Sequence, residues 1–204
     1  MKKTFIIIFS LFFTSVFSQS FWQQLVTYPG THAVNKINTA CTGKIFLASD
    51  GDGIFYSENF GTSWSSSGIG LSDSAVKSLA CKNDSILFAG VKNRIVFVSH
   101  DSGNTWVSNN MYGTGNIVSS FLVMPNGDVF AGQTADGIFR STDNGQTWSE
   151  VGLCCAGVLS IAAGNTGVIY TGTSAGGVYR SANGGTAWDD VNIGITNMKI
   201  NALA

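Results

Sequence analysis

The chain has 204 residues, of which 44% are hydrophobic and 11% charged, with 25 glycines, 2 prolines, and 11 lysines and arginines against 12 aspartates and glutamates. This is one domain's length with enough apolar side chains to build a core. So little charge excludes a disordered acidic chain or a helical bundle rich in Lys and Glu, and a formal net charge of −1 excludes the basic footprint of a nucleic-acid binder.

Residues 1–19 open on Lys2-Lys3, run through an apolar stretch from Phe5 to Phe13 and reach Ser15, Ser18 and Gln19. A basic start, an apolar middle and a small or polar end are the shape of a secretory signal peptide. A membrane anchor needs about 20 apolar residues, whereas this run is shorter and is broken by Ser10, Thr14 and Ser15. The expectation is cleavage near Ser18 or Gln19, an exported mature chain from residue 20, and no stable membrane span in it. Export permits disulfides, and Cys41, Cys81, Cys154 and Cys155 allow three pairings. One arrangement bridges Cys41 to Cys81, which fall near equivalent strand ends of adjacent repeats, with the vicinal pair free or locally joined. No CxxC spacing occurs and neither His32 nor His100 accompanies a cysteine, so neither a metal site nor a cofactor is expected.

The five tryptophans, Trp22, Trp64, Trp106, Trp148 and Trp188, are spaced by 42, 42, 42 and 40 residues, which marks a repeat protein. Four of them close one eight-residue pattern, Ser-x-Asp/Asn-x-Gly-x-Thr-Trp. Its copies are built on Ser57, Asn59, Gly61 and Trp64; Ser99, Asp101, Gly103 and Trp106; Ser141, Asp143, Gly145 and Trp148; and Ser181, Asn183, Gly185 and Trp188, with Ser63 and Ala187 departing at the seventh place. Each unit begins with a β-rich run (Val34–Ile37, Val76–Leu79, Ile117–Ser120, Val158–Ile161). A second follows (Ile45–Ala48, Ile86–Ala89, Asp128–Ala131, Val168–Thr171), and then a third directly before the pattern (Gly53–Tyr56, Ile95–Val98, Gly137–Arg140, Gly177–Arg180). With a fourth strand starting at each Trp, the units read as antiparallel four-stranded blades of an all-β propeller, strands a to d running outward from the axis. In the turn between c and d, Asp or Asn is expected to accept the N–H groups two residues on, Gly to supply positive φ, and Trp to fill the gap against the neighbouring sheet.

These four segments resemble the Asp-box, or BNR, repeat of sialidases, sortilin-type receptors and the photosystem II stability and assembly factor. The resemblance spans residues 20–204. It implies a β-propeller with each box at a peripheral hairpin, away from the central ligand channel, and so a structural role for the sixteen pattern residues named above. Asp101 and Asp143 match the box in full, Asn183 conservatively, and Asn59 stands in the most degenerate copy.

Trp22 to Val34 aligns with Trp64 to Val76, so the mature chain is expected to begin with a lone strand d, while Ile200–Ala204 reads as a strand a. Four complete blades plus parts of a closing blade make an incomplete ring. The readings are the N-terminal part of a longer protein, a ring with a defective blade, or a ring completed by a second copy.

The catalytic set of sialidases, which the resemblance would imply, is not assembled. Only Arg94, Arg140 and Arg180 are present, without an Arg-Ile-Pro segment, and Arg140 and Arg180 occupy one repeat position. Glu58 and Glu150 are the only glutamates, too few for an evident acid and base pair. Asp50 and Asp52 read as turn residues, and His32 and His100 as solvated side chains without an arranged partner. Strand-linking loops at Thr27–Ala33, Ser66–Ser74, Val107–Asn116, Val151–Gly157 and Val191–Met198 share a face with the b to c turns, and Met111 and Tyr112 are the expected interaction anchors. The reading is an exported, non-catalytic recognition or assembly module for a protein or glycan. Its rival is the N-terminal part of a sialidase-like glycoside hydrolase with its catalytic residues in further blades.

Overall fold

A computed structural model describes residues 28–40, 43–93, 95–111 and 116–204. The expected signal peptide over residues 1–19, Trp22, Cys41, Arg94 and Tyr112 lie outside the described residues. Among those described there is no α-helix, and no helix is long and apolar enough to cross a membrane.

Sixteen strands form four four-stranded antiparallel sheets, each in chain order. The first holds β1 (Val34–Thr39), β2 (Ile45–Ser49), β3 (Ile54–Ser57) and β4 (Ser65–Ser66), and the second β5 (Ser78–Cys81), β6 (Leu87–Gly90), β7 (Ile95–Ser99) and β8 (Val107–Asn110). The third holds β9 (Val118–Val123), β10 (Val129–Gln133), β11 (Gly137–Ser141) and β12 (Ser149–Gly152), and the fourth β13 (Val158–Ala163), β14 (Ile169–Thr173), β15 (Val178–Ser181) and β16 (Asp189–Asp190). The register repeats with the sequence: Leu47 faces Phe55, Ala89 faces Phe97, Ala131 faces Phe139 and Thr171 faces Tyr179. The fold is a β-propeller whose sheets are not closed in a ring.

The core lies between blades rather than within one. Successive side chains of a strand point to opposite faces, so in β6 Leu87 and Ala89 join the cluster shared with the first blade, while Phe88 joins the one shared with the third. Both faces are buried, and β6 therefore reads as an unbroken apolar run. Trp106, Trp148 and Trp188 each pack in the cluster shared with the preceding blade.

Several expected element bounds shift. The inner strand of the second blade starts at Ser78, because the N–H of Val76 bonds to the Ser49 carbonyl of the first blade at 2.9 Å. The segment expected as a loop from Val107 is strand β8 as far as Asn110, paired along β7. The run Ile200–Ala204 is not in a sheet, yet the Ile200 N–H bonds to Thr173 O at 2.9 Å, as Val76 does to Ser49 and Val118 to Val91. It occupies the place of the next inner strand.

Blade spacing at the axis depends on glycine. A Cβ on Gly90, Gly132 or Gly172 would lie 2.8, 2.4 or 2.6 Å from Val118, Val158 or Ile200 respectively, and 2.3 to 2.7 Å from Ser78, Ser120 or Ser160 Oγ. Gly132→Ala is therefore expected to lower stability by about 1–3 kcal/mol through overpacking, whereas Gly164→Ala, with its nearest neighbour at 3.6 Å, stays close to the wild type. Urea denaturation of the two variants checks this.

Candidate functional site

Each c to d turn is organised by its first serine, which is buried in all four copies. The Oγ of Ser57, Ser99, Ser141 and Ser181 accepts the N–H of Gly61, Gly103, Gly145 and Gly185 at 2.8, 2.8, 2.8 and 2.9 Å, and donates to Oδ1 of the Asp or Asn two residues on. That Oδ1 accepts the N–H four residues on, at 2.8 Å for Thr105 to Asp101 and 2.9 Å for Thr147 to Asp143. The expected N–H two residues on is not the partner, because two successive left-handed residues turn the chain first. They are Phe60 and Gly61, Ser102 and Gly103, Asn144 and Gly145, and Gly184 and Gly185.

The turn reaches across to the preceding blade. A Cβ on Gly103 or Gly145 would lie 2.8 Å from the ring of Phe46 or Phe88, and on Gly185 3.1 Å from that of Phe130. Trp106 Nε1 donates to Ser67 Oγ at 3.3 Å and Trp188 Nε1 to the Val151 carbonyl at 3.0 Å. The second, third and fourth motifs are thus clamps between blades.

In electrostatic terms the turn stabilises a carboxylate. Burial alone would raise the Asp143 carboxyl, but hydrogen bonds from the Thr147 hydroxyl and N–H and from Ser141 outweigh it and hold the group at about 2. Asp101 is lowered by the hydroxyl and N–H of Thr105. A carboxylate so fixed is a poor proton donor or acceptor near neutrality.

The axis is different. The inner strands present Asn35, Lys36, Lys77, Ser119, Ser120 and Ser160 around a pocket of about 290 Å³, which Asn201 and Leu203 also line. Part of this polar set joins neighbouring blades: Asn35 Nδ2 donates to Val76 O at 2.7 Å, Ser78 Oγ to Val118 O at 2.7 Å and Ser119 Oγ to Val158 O at 2.6 Å. Ser120 Oγ and Ser160 Oγ are buried with no partner among the described residues. Lys77 Nζ pairs with Asp50, and Lys36 is exposed.

Above the axis the linking loops and the b to c turns share a face, as the bonds from Gly53 N–H to Ser74 O and from Gly177 N–H to Met198 O require. His32 has an arranged partner after all, its Nδ1 lying 3.0 Å from Asp52 Oδ1. The Thr31 hydroxyl approaches the same ring nitrogen at 3.1 Å, so the imidazole does not sit between hydroxyl and carboxylate as in a proton relay. Asp52 is held at about 2 by the His32 backbone and side chain and by the Thr31 N–H. Met111 is no surface anchor: it is 5% exposed in the core between the second and third blades, and its sulfur accepts from Gln133 Nε2 at 3.3 Å. Arg140 binds Asp128 at 2.6 Å and Arg180 lies 3.7 Å from Asp189, both within their own blades. Cys154 and Cys155 are free and exposed. Among the described residues no cluster of His, Cys, Asp or Glu is placed to hold a metal ion.

Ser141→Ala leaves the buried Gly145 N–H without its acceptor and is expected to cost about 1–3 kcal/mol. Asp143→Asn keeps the Oδ1 acceptor, as Asn59 and Asn183 do, and costs less. Since the Asp143 pKa is depressed on folding, its contribution is present above about pH 4 and is lost as pH falls through about 2. The wild type and Asp143→Asn should therefore converge over that window in acid titrations monitored by circular dichroism. Phe60 is 79% exposed at φ 56°, so Phe60→Gly is expected to raise stability by about 0.5–1 kcal/mol after the extra freedom of the unfolded chain is offset, a gain that the urea midpoint reads directly.

No curated protein matches the chain in sequence. Among solved structures it is similar to an ancestral GH74 enzyme, with TM-score 0.66 and 23% identity over 85% of this chain and 26% of that one. It is also similar to YCF48 bound to D1 peptide (TM-score 0.64, 16% identity, 80% of this chain, 56% of that one). A third neighbour is a catalytically inactive virginiamycin B lyase from Staphylococcus aureus with quinupristin (TM-score 0.68, 14% identity, 82% and 58%). At these identities the likeness is one of fold, and the chain spans about a quarter of the GH74 enzyme and just over half of the other two. The model of the DUF6242 beta propeller domain matches residues 71–200, well over half of the sequence, and the chain belongs to that family.

Proposed function

We propose that this propeller is an exported, non-catalytic recognition module that holds an extended protein segment at its axial pocket, and that its four turn motifs are Asp-boxes serving to clamp the blades. The observation that carries the reading is the chemistry of the pocket wall. It offers the exposed amine of Lys36, beside Lys77, whose amine is shared with Asp50, and Asn35, whose amide already donates to the Val76 carbonyl. These are mainly hydrogen-bond donors, suited to backbone carbonyls and carboxylates. The carboxylates of the turns face the blade rim and are fixed in charge. The likeness in fold to YCF48, which is bound to a peptide, supports a peptide ligand.

The rival is a glycoside hydrolase, favoured by the likeness in fold to a GH74 enzyme, with its acid and base outside this chain. One experiment separates them. Purified protein is titrated by fluorescence anisotropy with acidic and neutral peptides, and incubated with a panel of glycans under a reducing-sugar assay. The expected result is saturable binding of acidic peptides that weakens about tenfold in Lys36→Ala, the loss of one charge-assisted hydrogen bond, with no sugar released. Release of reducing sugar, or peptide binding indifferent to Lys36→Ala, overturns the proposal.

A further inference from the structure

The third blade carries a feature that the other three lack. Between β12 and β13 the chain turns through Leu153-Cys154-Cys155-Ala156, closed by the bond from Ala156 N–H to Leu153 O at 3.0 Å. The two cysteines are the central residues of this turn, with Cys155 at φ 67°. Both thiols are free and exposed, on the rim of a pocket of about 530 Å³ walled by Phe139 and Trp148 and bordered by Asp136 and Glu150.

We propose that Cys154 and Cys155 form a reversible thiol–disulfide site that reacts with small cationic or neutral disulfides entering this pocket. The buried rings of Phe139 and Trp148 close the back of the pocket, and the two carboxylates attract a positive charge and repel an anion. The Cys154 thiol is pushed up by Cys155 beside it, by desolvation and by Glu150. This disfavours the Cys154 thiolate, so we assign the first attack to Cys155.

The Cys155 thiolate displaces one half of the incoming disulfide as a thiolate, forming a mixed disulfide. Cys154 then gives up its proton to water and attacks the Cys155 sulfur, expelling the second half. The cysteines are oxidised by two electrons, the small disulfide is reduced to two thiols, and both cysteine protons end on those thiols. Adjacent Cα atoms are about 3.8 Å apart, closer than the usual range of about 4.4–6.8 Å for a disulfide. The product is therefore strained and readily reduced by a dithiol, which makes the site reversible.

The test uses the full chain. Cleavage by trypsin after Arg140 and Arg180 leaves residues 141–180 as one peptide whose only cysteines are Cys154 and Cys155, so mass spectrometry reads this pair apart from Cys41 and Cys81. Reduced protein is exposed to cystamine, which is cationic, or to oxidised glutathione, which is anionic, and is quenched at intervals. The expected result is a peptide lighter by two hydrogens that dithiothreitol restores, formed about tenfold faster with cystamine at low salt. Glu150→Gln should reduce that preference, and Cys154→Ser should stop at the mixed disulfide on Cys155. A peptide that stays dithiol, that carries an adduct on each cysteine, or that reacts equally with both reagents overturns the proposal.

Discussion

A four-stranded blade cannot bury itself: both of its faces are apolar, and one sheet has nothing to fold them against. The contact on which the structure depends is therefore the one between successive blades. It is made twice in each step, at different radii. Near the axis a branched side chain of one blade fits against a residue with little or no side chain in the one before, Val118 on Gly90, Val158 on Gly132 and Ile200 on Gly172. Further out, the glycine of each turn rests on a phenylalanine of the preceding blade, Gly103 on Phe46, Gly145 on Phe88 and Gly185 on Phe130. The tryptophan that follows fills the space left between the sheets. Burial of large rings is the main favourable term, and the serine and carboxylate hydrogen bonds hold the turn in the one shape that places them.

The first described blade shows the same rule from its other side. Val76 and Leu79 are buried by the first blade, whereas their counterparts Val34 and Ile37 in β1 are 40% and 58% exposed. The side chains are alike and the strand positions equivalent, but among the described residues no sheet packs against β1 from that side. A blade interface, once unpaired, is an apolar surface.

How far this was legible in the sequence follows from range. The blades could be read because the tryptophans, the turn glycines and the apolar runs are local signals in register. The second left-handed residue of each turn was hidden, since Phe60, Ser102 and Asn144 carry no common preference for positive φ and adopt it only because the flanking bonds impose it. The serine's role was hidden for a related reason: a hydroxyl that accepts an N–H four residues on looks in sequence like any turn serine. Met111 misled because it follows strand β8, which has a weak pattern, Val107-Ser108-Asn109-Asn110. Its burial depends on the third blade folding over it. The partnership of His32 with Asp52 spans twenty residues of chain and two loops, which no local pattern reports.

What recurs in every blade is needed by every blade, and so the repeated residues are explained by packing. Function has to be sought where the repeat breaks. Following Val34, Val76, Val118, Val158 and Ile200, which hold equivalent positions in successive units, the chain has Asn35-Lys36, Lys77-Ser78, Ser119-Ser120, Leu159-Ser160 and Asn201-Ala202. The pairs stand at equivalent places in the repeat while their chemistry differs, so the axial pocket is asymmetric in charge and polarity. The loops after strand d differ in the same way, and only the third contains adjacent thiols. A binding surface built on a repeat gains its direction from such departures, because a ring of identical groups would hold a ligand equally well in several rotated poses. The lysines of the first two units and the apolar Leu159 of the fourth make the lining of the pocket uneven. The clamps at the rim make that asymmetry useful by keeping the inner strands from shifting to relax it.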